Sequence, residues 1–270
     1  MESAWRQQFP RIQERAPAPE SGRVHYVVLT LNSSVRRAWV RDLQRTLPSL
    51  EVFQAVNGFD RHVTVQALAA SGLKYHINTY CGFSRFGTYG SLANYLTKYF
   101  ALASQVKRRI PYMAMLEDDM RILPAFPAFV EGQVDRYLGS KAPGKNATKP
   151  ELLVLGAWGE GYVTSLESAQ RMLAALRWQG VPLNVDIMFN DGHVGRAQHV
   201  RDTPWLHRVK PNFGDIQSTA HIRQNDLPAQ LLAQPPRGCT AAGADACQAW
   251  LRAVRERYCR GKAREGAAAG

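Results

Sequence analysis

Short apolar runs alternate with amphipathic stretches over residues 24–176, and this alternation constrains the fold more than any other feature. The run "VHYVVLTL" at 24–31 is continuous and β-prone, which is typical of a strand covered on both faces. The runs at 51–58, 112–116 and 152–156 predict three further strands. A sheet covered on both faces needs helices on each side, so we expect an α/β fold with a mostly parallel central sheet flanked by helices.

Helical periodicity occupies the intervals between these runs. After "NSS", whose side chains can cap a helix, apolar residues repeat at steps of three and four from Val35 to Leu47. Residues 91–107 carry the clearest apolar stripe. A capping box formed by Thr164 and Glu167 predicts the start of a further helix.

The length of 270 residues and the hydrophobic content of 45% are enough for one sizeable domain. Residues 1–22, with three prolines among charges, predict a flexible leader. Residues 23–225 form the predicted domain, with a polar loop at 139–150. Residues 226–270 form a predicted C-terminal extension, which contains a basic helix and ends in a frayed, Ala-rich and Gly-rich tail.

The formal net charge of +12 predicts attraction to polyanions, either nucleic acid, an acidic membrane face or a phosphorylated small molecule. No stretch is long and apolar enough to suggest a membrane span, and the N-terminus lacks the apolar core of a secretory signal. We therefore expect a cytoplasmic protein whose basic C-terminal helix could make peripheral contact with an anionic membrane.

Three consecutive acids, Glu117, Asp118 and Asp119, follow the predicted strand "YMAML". Like charges repel one another, so such a cluster needs solvent, a cation or a basic partner. In open α/β sheets, ligands bind beyond the carboxyl ends of the strands, where this cluster is predicted to lie. Carboxylates in that position suit a divalent cation that also binds substrate phosphates.

Seven sequence blocks follow one another between about residues 24 and 220: "VVLTLNSSVRRAW", "FQAVNG", "GTYGSLANYL", "MLEDDM", "GEGYVTSLESAQRML", "VPLNVDIM" and "FGDIQST". Their order resembles that of glycosyltransferase family 25, which contains lipopolysaccharide glycosyltransferases and procollagen galactosyltransferases. The acid triplet, similar to the Leu-Glu-Asp-Asp-Val signature of that family, is the most specific block.

The resemblance implies a GT-A fold, a UDP-sugar donor and a divalent metal, commonly Mn²⁺. It implies that Asp119 and Glu117 bind the metal, with Asp215 as a further ligand and Glu117 alternatively contacting the ribose or sugar. The remaining implied donor contacts are Thr30, Leu31, Arg36, Arg37, Ala55, Asn57, Gly58, Gly87, Gly90, Asn94 and Asp118. Because Arg36 and Arg37 are consecutive on a helix, at most one of them can face the site.

The predicted reaction is the transfer of a hexose, galactose or glucose, to a hydroxyl acceptor with inversion. An inverting transfer needs a carboxylate that takes the proton of the acceptor, and Asp186 is the first candidate for this base, with Glu160 as the alternative. The acceptor is a glycan, a lipid-linked saccharide or a protein, and nucleic acid is not expected as a partner. The competing interpretation is a non-catalytic basic module that binds polyanions on a degenerate transferase fold.

Overall fold

A computed structural model describes residues 22–31, 33–73, 89–139, 149–156, 160–179, 189 and 195–207. The helices within these residues are α1 (Ser34–Thr46), α2 (Arg61–Ser71), α3 (Tyr89–Arg108), α4 (Phe126–Gln133), which a π-helical turn continues over Val134–Leu138, and α5 (Leu166–Gln179). The strands are β1 (Val24–Thr30), β2 (Glu51–Gln54), β3 (Tyr112–Glu117), β4 (Met120–Ile122), β5 (Leu152–Leu155), β6 (Gly161–Ser165), β7 (Ala197–Val200) and β8 (Trp205–His207).

Six of the described strands form one mixed sheet in the order β2-β1-β3-β6-β5-β7. Strand β1 is parallel to both β2 and β3, and β5 is parallel to β7. Strand β6 is antiparallel to its neighbours β3 and β5, so the other five strands share one direction. The two remaining strands, β4 and β8, form a small antiparallel sheet. The predicted α/β class with a mostly parallel sheet is therefore confirmed.

Helices cover both faces of the sheet, and alternate residues of each central strand point to opposite faces. Val27 and Leu29 of β1 pack in a cluster with residues of α2, α3 and α5. Their neighbour Val28 packs in a second cluster with residues of α1 and α4. This two-sided burial explains why the strand sequences are apolar runs rather than alternating patterns.

The three helices that were predicted within the described residues are correct in kind and differ at the ends. Helix α3 spans Tyr89–Arg108, slightly longer than the predicted 91–107. The predicted capping box is wrong, because Thr164 lies in β6 and its hydroxyl donates to Gln105 Oε1 over 2.7 Å. The neighbouring Ser165 takes the capping position instead, and its Oγ accepts from the Ser168 backbone N–H over 3.2 Å.

Glu51 makes an ion-pair network near the amino ends of β1 and β3, at the opposite end of the sheet from the acid triplet. Both of its carboxylate oxygens accept from Arg108 over 2.8 Å, and His25 Nε2 lies 2.9 Å from Oε2. Burial alone would raise the pKa of Glu51, but these hydrogen bonds and charges outweigh it and lower that pKa to about 2. The network therefore favours the ionised carboxylate in the folded state.

We expect Glu51→Gln to lower the free energy of unfolding at pH 7 by about 2 kcal/mol, allowing for solvent screening of a partly exposed carboxyl. The pKa of Glu51 falls from 4.5 to about 2 on folding, so the contribution is complete above pH 4.5 and is lost as the pH falls towards 2. The difference between wild type and variant should therefore shrink on acidification. Denaturant unfolding at pH 7 and pH 3 measures it.

Asp135→Asn is a matched control, because Asp135 pairs with Arg23 across side chains that are 66% and 44% exposed. An exposed pair contributes little, so this variant should unfold like the wild type. Equal losses in Glu51→Gln and Asp135→Asn, or no loss in either, would contradict the role given to the network.

The predicted domain boundaries stay predictions. Most of the predicted leader, up to residue 21, and all of the predicted extension 226–270 lie outside the described residues. Among the helices that the structure describes, none has the length and apolar character needed to cross a membrane.

Candidate functional site

The order of the strands creates a topological switch point at the carboxyl ends of β1 and β3, the position at which open α/β sheets form a crevice. From β1 the chain passes through α1 to β2 on one side, and then through α2 and α3 to β3 on the other side. Helix α1 packs on one face of the sheet, whereas α2 and α3 pack on the opposite face. Such a switch point is where open α/β sheets bind their ligands. The acid triplet lies there, since Leu29 pairs with Glu117.

Arg36 and Asp118 form an ion pair across this crevice. Ser33 caps α1, and its Oγ accepts from the Arg36 backbone N–H over 3.3 Å. The Arg36 side chain then reaches Asp118, with 2.5 Å between Nη1 and Oδ1. Arg37, the next residue on the helix, is exposed. Of the two predicted arginines, Arg36 is thus the one that contacts the acid triplet.

Asp118 is the most buried member of the triplet, with 2% of its side chain exposed. Its Oδ1 receives the Arg36 guanidinium, while Oδ2 is buried and has no hydrogen-bond partner among the described residues. An unsatisfied buried oxygen is costly, and a ligand that brings a cation or a donor would remove that cost.

Glu117 faces a buried base. Lys98 of α3 lies 3.5 Å from Glu117 Oε1, and its side chain is 1% exposed, whereas that of Glu117 is 37% exposed. The Lys98 ammonium also lies over the Tyr162 ring, 4.9 Å from its centroid. Two members of the triplet therefore have basic partners within the chain, and these partners balance part of the negative charge of the triplet.

Glu160 also lies at this edge, where β6 begins. Its carbonyl accepts from the Glu117 backbone N–H over 2.9 Å, and the residue is 5% exposed. Gly156 has φ +81°, and a Cβ at that position would lie 2.4 Å from Glu160 Oε2 and 2.7 Å from the Trp205 ring. The Glu160 carboxyl and the Trp205 ring therefore both lie close to Gly156, where only a residue without a Cβ leaves them room.

Two backbone N–H groups that follow β2 attach this segment to the same region. Ala55 N–H donates to the Thr30 carbonyl over 2.8 Å, and Val56 N–H donates to Thr97 Oγ1 over 2.9 Å. Asn57 is exposed, and its Oδ1 accepts from the Phe59 backbone N–H over 3.0 Å. Asn57 and the buried Gly58 thus form the turn that leads to Asp60, the N-cap of α2.

The structure locates most of the predicted site residues. Leu31 is half-buried at the end of β1, Gly90 is buried in the first turn of α3, and Asn94 is half-buried one turn before Lys98. Asp119 is half-buried in the turn between β3 and β4. The predicted residues Gly87, Asp186 and Asp215 lie outside the described residues.

The carboxylate oxygens at this edge suit a metal ion that the protein coordinates only in part. Within the described part of the chain, no three His, Cys, Asp or Glu side chains converge as a metal-binding group. Divalent ions that bind substrate phosphates commonly take one or two carboxylates and complete their shell with water and phosphate oxygens. Asp119 and the buried Oδ2 of Asp118 match that smaller set.

Lys98 is not among the site residues predicted from the sequence. A signal was present, because Asn94, Lys98 and Gln105 place polar groups along one side of a helix that is otherwise mainly apolar. Gln105 is fully buried and bonds to Thr164, which shows that this side of α3 faces the sheet. A lysine on such a face has to find a partner inside the protein.

Comparison with known proteins adds no identification. No model of a protein family matches the chain, and no curated protein is found as a relative. The fold and the site define a class, namely an α/β protein with a cluster of charged side chains at the carboxyl edge of its sheet.

Proposed function

We propose that this chain is a metal-dependent glycosyltransferase that moves a hexose, galactose or glucose, from a UDP-sugar to a hydroxyl acceptor with inversion. The observation that carries the proposal is the acid triplet at the switch point, where Asp118 is buried and paired to Arg36 and its Oδ2 has no hydrogen-bond partner among the residues that the structure describes. The order of sequence blocks that resembles glycosyltransferase family 25 supports the same reaction. The GT-A topology is part of this proposal.

Asp119 and Asp118 would hold the divalent ion, with Glu117 and Asp215 as the further ligands that the family resemblance implies. When bound, such an ion neutralises the two phosphates of the donor and stabilises the diphosphate as it leaves. Arg36 fixes the orientation of Asp118 through their ion pair. The guanidinium also presents planar donors at the N-terminus of α1, where a phosphate is favoured.

The competing function is polyanion binding without catalysis, and one observation favours it. Arg36 and Lys98 already supply positive charge to Asp118 and Glu117, so two of the three acids do not need a metal for charge balance. In addition, Arg37, Arg41 and Arg45 are exposed at four-residue spacing on α1. A degenerate transferase fold that binds nucleic acid through these arginines would show both features.

Calorimetric titration of UDP into the purified chain separates the two functions. We expect UDP to bind with Mn²⁺ present and to lose that binding when the metal is chelated, because the diphosphate would otherwise face Glu117, Asp118 and Asp119. Polyanion binding predicts the opposite pattern, in which DNA or RNA binds without metal, with a steep dependence on salt. Absence of UDP binding in both conditions would overturn the proposed function.

A further inference from the structure

Lys98 is a buried charge that the proposed reaction does not use. Its side chain is 1% exposed in the middle of α3. Placing an ammonium group in the interior costs free energy unless hydrogen bonds and opposite charges compensate. A protein retains such a group where removing it would harm either the fold or the function.

The surroundings of Lys98 connect it to the crevice. The ammonium lies 3.5 Å from Glu117 Oε1 and 4.9 Å from the centroid of the Tyr162 ring, an aromatic face that attracts cations. The Glu117 side chain is 37% exposed, so its carboxylate links the buried ammonium to the surface of the crevice.

The backbone beside Lys98 is fixed as well. Thr97 Oγ1 accepts from the Val56 backbone N–H over 2.9 Å and donates to the Ala93 carbonyl over 2.7 Å. Helix α3 is thereby attached to the chain segment that follows β2. Lys98 projects from a helical turn whose position is set by this contact, so it is a stable support for a neighbouring side chain.

An ammonium that is 1% exposed does not contact a ligand in the crevice. We propose that Lys98 is a positioning residue, which holds the Glu117 carboxylate at the mouth of the crevice in the orientation that donor binding requires. This inference rests on the proposed function, and it assigns to α3 a role in nucleotide-sugar affinity that acts through Glu117.

The test is a double-mutant cycle on Mn²⁺-dependent UDP binding with Lys98→Met and Glu117→Gln. Methionine keeps the apolar stem without the charge, and we expect the UDP dissociation constant to rise about 10-fold to 100-fold, as for other groups that orient site residues. Glu117→Gln should give a similar rise. The double variant should bind UDP no more weakly than the weaker-binding single variant, because both changes remove the same contact between Lys98 and Glu117.

Lys107→Met is the matched control, since Lys107 lies on the same helix and is exposed. It should bind UDP like the wild type. Thermal unfolding of every variant distinguishes positioning from a structural role, because a purely structural lysine would change the melting temperature and leave UDP affinity unchanged in the folded protein. Lys98→Gln serves as a second uncharged variant if Lys98→Met does not fold.

Wild-type affinity in a folded, uncharged Lys98 variant would overturn the inference while leaving the proposed function intact. The inference would also be overturned if the losses of UDP-binding free energy in Lys98→Met and Glu117→Gln were additive in the double variant. Failure of the wild-type chain to bind UDP is a distinct result that overturns the proposed function, and this inference with it.

Discussion

Asp119→Ala should weaken Mn²⁺-dependent UDP binding by at least about 100-fold and leave the fold intact. Removing a group that only orients a metal ligand typically costs about 10-fold to 100-fold in affinity, so loss of a ligand should cost more. Asp119 lies in a turn and is half-buried, so its replacement leaves the apolar residues of β3 in place. Calorimetry with UDP and Mn²⁺, together with circular dichroism, measures both parts of the expectation.

The Asp118 and Glu117 variants give a graded comparison. Asp118→Asn should weaken binding and also destabilise the protein, because it leaves the Arg36 guanidinium next to a neutral group. Glu117→Ala should lose the metal-dependent binding and also lower stability, because it removes a carboxylate 3.5 Å from the buried Lys98 ammonium. Glu167→Ala is the control, since Glu167 is exposed at the start of α5 and pairs with Arg171. Unchanged UDP affinity in both Asp119→Ala and Glu117→Ala would remove the metal assignment.

Asp186→Asn should leave UDP affinity unchanged and slow hexose transfer by about 10² to 10⁴-fold, the usual effect of losing a general base. The alternative base, Glu160, is 5% exposed, so an acceptor hydroxyl has poor access to its carboxyl. We therefore keep Asp186 as the first candidate.

The rate comparison needs an acceptor, which a screen of UDP-sugars with candidate saccharides can supply by measuring released UDP. Glu160→Gln is the paired variant, and it should keep most of the transfer rate in the folded protein. If Asp186→Asn works at full rate and Glu160→Gln does not, the base is Glu160.

Strands β1, β2, β3 and β5 and helices α1, α3 and α5 could be predicted because each carries its own periodic signal. Helices α2 and α4 and strands β4, β7 and β8 were not predicted. The run from Val24 to Thr30 is apolar throughout, and β1 is buried on both faces of the sheet. Strand β6 was missed, because "GYVTS" at 161–165 is short and directly precedes a helix. Thr164 was interpreted as the cap of that helix for the same reason. Local sequence does not distinguish the last residues of a strand from a helix start.

The location of the acid triplet was predictable, but its partners were not. A strand followed by acids identifies a carboxyl edge, whichever strands lie beside it. Arg36 and Asp118 are 82 positions apart, and their contact depends on β1 and β3 being neighbours, which is a property of sheet order. Asn57 was expected to contact the donor, but its side-chain oxygen accepts from the Phe59 backbone N–H within the local turn. A local hydrogen bond of this kind was not anticipated from the family resemblance.

In the proposed function, a metal and the diphosphate of a nucleotide bind together at the carboxyl ends of β1 and β3. The most direct measurement is a crystal structure of the chain grown with Mn²⁺ and UDP, in which anomalous scattering locates the metal. We expect an anomalous peak beside Asp119, in contact with the diphosphate, and Arg36 still paired with Asp118. UDP bound elsewhere on the protein, or bound at this edge by Arg36 and other basic side chains with no anomalous peak, would contradict it.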